Sequence, residues 1–186
     1  FHGERKAGSV GKPLKDINIR INKTKGYKNT IHNDIGMIEI MGPNVFKGYL
    51  NNPKKTQEAF TEDGYFITGD IGHFDKDGYL FISGRNKDLI ISGGFNIYPK
   101  EIEDVINQHK SVIESAVFGI KDNDLGEVPI AAVVMINDNK EIKDLSVFVE
   151  NNLVKYKIPK KYIVLNELPK NVMGKVQKNI LKDKYS

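Results

Sequence analysis

Two short segments combine polar side chains with glycines in a way that suits ligand binding. Gly69-Asp70 follows the strand-like residues 65–68, and a carboxylate at a strand end can accept hydrogen bonds from two sugar hydroxyls. Ser92-Gly93-Gly94 follows the apolar residues 89–91, and glycine there permits a positive φ and close approach of a ligand to the main chain. Each has an ordinary alternative, because a lone Gly-Asp often closes its own turn and Ser-Gly-Gly also suits a hairpin.

The second segment lies where the character of the sequence changes. The charged cluster Arg85-Asn86-Lys87-Asp88 precedes it, and Pro99, Glu101 and Glu103 follow it. Proline suits the first turn of a helix, and acidic residues suit its N-terminus. A junction with charge, glycine and a helix start favours a ligand between two domains, although many such junctions are only linkers.

The elements before this junction are predicted to be short strands and turns. The expected strands are residues 17–21, residues 36–41 and three more punctuated by turns at residues 63–64, 75–78 and 83–84,. Asn52 and Pro53 predict the cap and first position of a short helix, and residues 23–29 predict a loop. Together these features predict a small, twisted, barrel-like sheet.

After the junction the pattern predicts an α+β domain. Helices are expected at residues 99–109, residues 141–156 and from about residue 177, and strands at residues 112–117, 128–135 and 162–165,. We expect two helices on one face of a three-stranded sheet, a two-stranded hairpin at the Ser-Gly-Gly turn, and an exposed loop at residues 169–175. The predicted fold class is therefore α+β, with a small β-barrel-like subdomain followed by an α+β domain.

The composition excludes several kinds of site. The chain has no Cys, which excludes disulfides, thiolate metal sites and a cysteine nucleophile,. Its four His are scattered without ligand spacing, so we predict no metal site in these residues. No apolar run approaches the ~20 residues of a membrane span, so none is predicted.

The net charge of +4 is concentrated at the end of the chain, where residues 160–186 contain seven Lys and two acidic residues. Such an excess is either a solvated lysine-rich face or a surface for a phosphate-bearing ligand. A basic, non-enzymatic binding module is the alternative function. The sequence has no aromatic-interleaved basic motif of the kind that binds single-stranded nucleic acid,, so we predict no nucleic-acid partner.

Three motifs in a fixed order resemble those of the adenylate-forming superfamily, which includes acyl-CoA synthetases, luciferases and peptide-synthetase adenylation domains. They are Tyr65-Phe66-x-Thr68-Gly69-Asp70, then Gly84-Arg85-x-x-Asp88-x-Ile90-x-x-Gly93-Gly94-x-Asn96-Ile97-x-Pro99-x-Glu101-Ile102-Glu103, and last Pro169-x-x-x-x-Gly174-Lys175. Further likeness, from Gly3-Glu4-Arg5 through Gly42-Pro43-Asn44 to Met173-Gly174-Lys175-Val176, is to the malonyl-CoA synthetases of this superfamily.

The resemblance implies a role for three charged residues. Asp70 is implied to bind the ribose of ATP, and Arg85 the ribose and phosphate region, where a planar, permanently charged guanidinium is suitable. A surface salt bridge is the alternative for Arg85. Lys175 is implied to be the catalytic lysine, because an ammonium between a carboxylate and the α-phosphate offsets the repulsion of two anions.

The resemblance also assigns a hinge and a tunnel for coenzyme A. Lys87 is at the position where a backbone rotation is implied to swing the small domain, and Ser92, Gly93 and Gly94 are implied to line the tunnel for the pantetheine arm. Several relatives carry a catalytic Lys at the position of Ile91, so Ile91 is assigned no catalytic role.

The domain organisation implied is a piece of a longer enzyme. Residues 1–86 resemble the distal β subdomain of the large adenylating domain, and residues 87–186 its mobile C-terminal lid. The chain begins at Phe1 without Met, so we expect an upstream large domain that contains the acid pocket, the phosphate loop and the Mg²⁺ ligand. We expect this chain alone to be inactive.

The implied reaction uses ATP, Mg²⁺ and CoA to convert malonate, or a related small carboxylic acid, into its CoA thioester. Another short- or medium-chain acyl-CoA synthetase, or a carrier-protein adenylation domain, is the alternative. The resemblance further implies a lysine acetyltransferase and deacetylase acting on Lys175, where acylation would remove the charge. It implies a cytoplasmic enzyme, or one in the mitochondrial matrix or another organelle of a eukaryote.

Overall fold

The computed structural model describes residues 5–23, 35–136 and 142–186. The chain divides into a first unit, which ends at Lys87, and a second unit, which begins at Asp88. Expectations that involve Gly3-Glu4, most of the loop at residues 23–29, and Glu141 fall outside the described residues. No helix within the described ranges is long and apolar enough to cross a membrane.

The first unit is an antiparallel sheet with one short helix. Its elements are β1 (Ser9–Gly11), β2 (Asn18–Asn22), β3 (Gly36–Met41), α1 (Pro53–Ala59), β4 (Phe66–Phe74) and β5 (Leu80–Arg85). The strands pair in the order β1-β5-β4-β3-β2. The helix begins as predicted, because the Asn52 side chain accepts a hydrogen bond of 3.0 Å from the Lys55 amide,.

Two expectations for this sheet are corrected. Among the described residues β1 pairs only with β5 and β2 only with β3, so the sheet is open rather than barrel-like. The predicted turn at Ser83-Gly84 lies inside β5, where Gly84 has φ +155° and pairs with Ile71. Glycine adopts this conformation without a steric penalty, so β5 continues through Gly84 to Arg85.

The second unit confirms a three-stranded sheet plus a hairpin. Its elements are β6 (Ile90–Ser92), β7 (Phe95–Ile97), α2 (Pro99–Ile106), β8 (Val112–Asp122), β9 (Gly126–Met135), α3 (Ile142–Asn152), β10 (Lys161–Val164) and α4 (Lys178–Tyr185). Strand β9 is central: β8 pairs with it antiparallel and β10 parallel. The β6–β7 hairpin joins it through Ser92 and Gly126.

Alternation along β8 and β9 creates two cores, because successive strand residues face opposite sides. On one side Val117 and Val133 pack with residues of α2 and α3, as expected. On the other side Phe118 and Ala132 pack with Leu181 of α4. The last helix therefore covers the opposite face, which the sequence pattern did not specify.

Gly72 in β4 lies very close to the main chain of the neighbouring strand β5. A Cβ atom at this position would lie 2.2 Å from the Phe81 main-chain oxygen, which a side-chain rotation cannot relieve. We expect Gly72→Ala to lower the free energy of unfolding by about 1–3 kcal/mol, measured by urea denaturation. Gly119→Ala is the comparison, because its Cβ would meet only side-chain atoms at 3.1 Å; equal losses in the two variants would contradict this account.

Candidate functional site

Asp70 and Arg85 are brought together in the first unit. They are direct partners in the β4–β5 register, and the Arg85 Nε atom lies 3.1 Å from Asp70 Oδ1. The Asp70 side chain is 26% exposed and that of Arg85 is 46% exposed. The arrangement presents one half-buried carboxylate beside one accessible guanidinium, a pair that can bind a polar, anionic ligand from one side.

A bulge in β4 presents Asp70. Pairing with β3 passes from Ile67 opposite Glu39 to Ile71 opposite Met37, so three residues, 68 to 70, oppose the single residue Ile38. The Thr68 hydroxyl fixes this bulge, since it donates 2.8 Å to the Ile38 carbonyl and accepts 3.0 Å from the Asp70 amide. Bulges commonly re-aim a side chain next to a functional site. The order Thr68-Gly69-Asp70 thus accounts for the bulge that presents the Asp70 side chain.

Lys87 lies in a 3₁₀ turn formed by residues 86–88, and its side chain is exposed. It is the last residue of the first unit. Its position agrees with a connecting role, and the hinge itself stays a prediction.

Ser92, Gly93 and Gly94 form the tight end of the β6–β7 hairpin. Ser92 pairs with Phe95 across the turn, and Gly93 and Gly94 have φ values of +54° and +81°. Two successive positive φ values define the hairpin turn that best matches strand twist. The Ser92 side chain is buried, whereas both glycines are exposed, so the glycine backbone is the part of this segment that a ligand can reach.

A pocket of about 660 Å³ lies against this hairpin, and its size suits a small ligand or part of a larger one,. Phe95 and Tyr156 form an aromatic wall, with ring centroids 4.5 Å apart and planes at 19°. The residues that line the pocket are Ser92, Gly93, Phe95, Leu125, Val128, Pro129, Glu150, Lys155, Tyr156, Ile158, Pro159 and Lys160.

Two lysines, Lys155 and Lys160, contribute positive charge to the pocket lining. One of them, Lys160, forms an ion pair. Lys160 Nζ lies 2.6 Å from Asp122 Oδ2, and this ammonium, with the Leu125 and Asp124 amides, lowers the pKa of Asp122 below its ordinary value,. Lys155 has no ion-pair partner among the described residues. A phosphate-bearing ligand would therefore meet one free ammonium in this pocket, and also the Glu150 carboxylate.

Lys175 lies in an exposed turn between β10 and α4. Residues 170 and 176 form an isolated antiparallel bridge below it, and Gly174 has φ +76°. The Lys175 side chain is exposed, and no described acidic residue pairs with its ammonium. It is thus a free cation on a defined turn.

Six of the seven predicted site residues, all but Lys87, fall into three local groups. Asp70 and Arg85 make one pair in the first unit; Ser92, Gly93 and Gly94 adjoin the pocket in the second; and Lys175 occupies its own turn. The aromatic wall was not predicted from the sequence, where Tyr156 stands in the run Lys155-Tyr156-Lys157-Ile158-Pro159 and Phe95 follows the glycine turn. In the described ranges no three His, Cys, Asp or Glu residues are grouped so as to hold a metal ion.

Residues 101–175 match the family described as AMP-binding enzyme C-terminal domain. A 2-succinylbenzoate–CoA ligase of Listeria monocytogenes is 43% identical over 97% of this chain and 36% of its own length. A malonate–CoA ligase of Arabidopsis thaliana is 38% identical over 98% of this chain and 31% of its own length.

The chain is also similar in fold to solved structures. The crystal structure of ATP-bound MatB from Rhodopseudomonas palustris has a TM-score of 0.89 and 46% identity, and covers 99% of this chain and 37% of that chain. This chain therefore spans about a third of the length of the relatives it matches. Residues 101–175 are thus similar to the AMP-binding enzyme C-terminal domain, within a sequence that is similar over nearly its entire length to part of 2-succinylbenzoate–CoA and malonate–CoA ligases.

Proposed function

We propose that this chain is the C-terminal part of an ATP-dependent acid:CoA ligase. The observation that carries the proposal is the match of 97–99% of the chain to relatives named as CoA ligases or solved with ATP bound. The paired Asp70 and Arg85, the glycine hairpin beside an apolar pocket, and the free Lys175 ammonium each suit one step of that reaction.

The first step is adenylation. The substrate carboxylate attacks the α-phosphorus of ATP, an acyl–phosphate bond forms, the bond between the α-phosphorus and the bridging oxygen breaks, and pyrophosphate leaves. Asp70 accepts hydrogen bonds from the ribose hydroxyls while Arg85 contacts the ribose and phosphate region. Lys175 places its ammonium between the carboxylate and the α-phosphate, where negative charge accumulates. Mg²⁺ would bind ATP through residues outside this chain.

The second step transfers the acyl group. The CoA thiol releases its proton to solvent and attacks the acyl carbonyl. A carbon–sulfur bond forms, the bond between the acyl carbon and the AMP phosphate oxygen breaks, and AMP leaves with the electron pair of that bond. We propose that the second unit rotates about Lys87 between the two steps, which brings the Gly93-Gly94 turn to the substrate. This division makes residues 1–86 part of the adenylating domain and residues 87–186 the lid, and it leaves the chain inactive without the rest of the enzyme.

The pocket beside the hairpin is the proposed surface for CoA. Its apolar lining and the Phe95–Tyr156 pair suit an extended thiol carrier, and Lys155 offers a charge for phosphate,. We expect Tyr156→Ala to raise the KM for CoA about 10-fold through loss of an aromatic contact, with pyrophosphate release unchanged. Val147→Ala, at an exposed residue of α3 outside the pocket lining, is the control. An unchanged KM for CoA in Tyr156→Ala would contradict this assignment.

The acid substrate is proposed from the relatives. Malonate agrees with the motif resemblance and with one relative, whereas several others are named 2-succinylbenzoate–CoA ligases. Both are carboxylic acids with a second carboxylate, so we propose a dicarboxylic acid. Malonate, 2-succinylbenzoate, acetate and octanoate should be compared as substrates of the complete enzyme by thioester formation; a preference for acetate or octanoate would contradict a dicarboxylate.

Modification of Lys175 also stays a proposal. Its exposed ammonium is accessible to a lysine acetyltransferase, and acylation would remove the charge on which adenylation depends,. Mass spectrometry of the native protein would detect this acylation, and a Lys175 that is never acylated would exclude such a partner.

A further inference from the structure

The lysine loop, residues 169–177, has its shape fixed by bonds within itself. The Gln177 amide donates 2.8 Å to the Pro169 carbonyl, and residues 170 and 176 are bridged. The Gly174 amide donates 2.8 Å to the Asn171 carbonyl at a positive φ of +76°. A positive φ at Gly174 is typical of a tight turn, here the one closed by this hydrogen bond.

Asn171 bonds both main-chain polar groups of Lys175. The main-chain N–H of Asn171 donates a hydrogen bond of 2.9 Å to the Lys175 carbonyl. The side-chain oxygen of Asn171 accepts a hydrogen bond of 2.9 Å from the main-chain N–H of Lys175. The same oxygen accepts 3.0 Å from the Met173 amide. One carboxamide oxygen thus fixes two successive corners of the loop, the type of turn that Asn side chains form with nearby backbone amides.

Packing contributes little to the tip of this loop. Val172 and Met173 are almost fully exposed, and Lys175 is exposed as well. The stem of the loop is held instead, since Lys170 lies 2.7 Å from Glu114 and Lys178 lies 2.6 Å from Glu103. Between these two ion pairs the hydrogen bonds of Asn171 are therefore the interactions that define where Lys175 projects.

We propose that Asn171 is a positioning residue for Lys175 in the adenylation step. This inference rests on the proposed function, in which the Lys175 ammonium must be placed between two anions. Holding a catalytic group in its productive geometry avoids the entropy cost of ordering it during the reaction. Without the carboxamide oxygen, the Lys175 and Met173 amides lose their acceptor and the exposed loop samples other conformations.

The test uses the complete ligase, with the better substrate of malonate and 2-succinylbenzoate. Adenylation is measured as pyrophosphate release, and thioester formation as the reaction of synthetic acyl-adenylate with CoA. We expect Asn171→Ala to slow adenylation about 10- to 100-fold, as two lost hydrogen bonds predict, and to leave thioester formation unchanged. Asn171→Asp keeps an acceptor oxygen in the same place and should recover most of the rate. Asn179→Ala, an exposed Asn in α4, should match the wild type.

A second variant reaches the same loop by another route. Gly174→Val strains the backbone at φ +76°, where β-branched residues are disfavoured, although nothing lies within 4 Å of the added Cβ. It should show the same selective loss of adenylation, with thermal unfolding unchanged, as is expected for an exposed loop.

Several results would overturn the inference. It fails if Asn171→Ala adenylates at the wild-type rate, if both half-reactions slow equally, or if Asn171→Asp is no faster than Asn171→Ala. Lys175→Ala separates this failure from that of the proposed function. If Lys175→Ala loses adenylation while Asn171→Ala keeps it, only the positioning role is wrong; if Lys175→Ala keeps adenylation, both proposals are wrong.

Discussion

Replacing Lys175 by alanine is expected to slow adenylation by about 100- to 1000-fold, the loss found when one charge-stabilising group is removed from a reacting centre. The reason is electrostatic: a carboxylate and a triphosphate must approach each other, and the free Lys175 ammonium is the cation that the loop supplies. The measurement is acid-dependent pyrophosphate release by the complete enzyme. The proposed role of the ammonium is confined to the adenylation step. Lys175→Ala should therefore convert preformed acyl-adenylate and CoA to the thioester at the wild-type rate.

Lys184→Ala is the matched control for this experiment. Lys184 is another exposed lysine of the same unit, nine residues further on, and its ammonium lies 5.3 Å from the Tyr185 ring centroid. Removing this charge should change neither half-reaction. A comparable loss in Lys184→Ala would indicate that total positive charge, rather than Lys175, controls the first step.

The second large effect is expected at Asp70. Asp70→Ala removes the carboxylate that we propose to accept hydrogen bonds from both ribose hydroxyls, and it leaves Arg85 without this ion pair. Two hydrogen bonds to a charged acceptor predict a kcat/KM for ATP lower by about 100-fold or more. Equilibrium binding of AMP to the complete enzyme, without acid or CoA, measures the same interaction directly and should weaken to a similar extent.

Asp77→Ala controls for the loss of an acidic residue from the same unit. Asp77 lies in the turn between β4 and β5, where it pairs with Lys6. It should leave AMP affinity unchanged. If Asp70→Ala binds AMP as tightly as the wild type, the ribose assignment is wrong, and the Asp70–Arg85 pair is only a surface ion pair.

Local signals in the sequence were sufficient to predict much of this fold. The Asn52 cap, the glycine hairpin and the apolar faces of α2 and α3 depend on residues close together in the chain. The end of α3 was misplaced: the helix stops at Asn152, and residues 155–157 form a separate 3₁₀ turn. Helix boundaries depend on packing as well as propensity, so such an error is expected.

Features that depend on distant pairing were not predictable in the same way. The bulge at Thr68 is defined only by its partner Ile38, thirty residues away, and the pocket combines the hairpin with residues after α3. An open sheet rather than a barrel follows from the pairing of β1 and β2, which no local pattern specifies. The turn made by Asn171, by contrast, has a local signature in Asn-x-x-Gly that could have been found.

We propose that this chain serves an enzyme that activates a carboxylic acid through its adenylate. The most direct measurement is the nucleotide product formed by the complete enzyme from ATP labelled at the α-phosphate, with and without malonate or 2-succinylbenzoate, in the presence of CoA. We predict one AMP and one pyrophosphate for each CoA thioester, and no AMP without acid. Formation of ADP and phosphate instead, or AMP formation that is independent of any acid, would contradict the account.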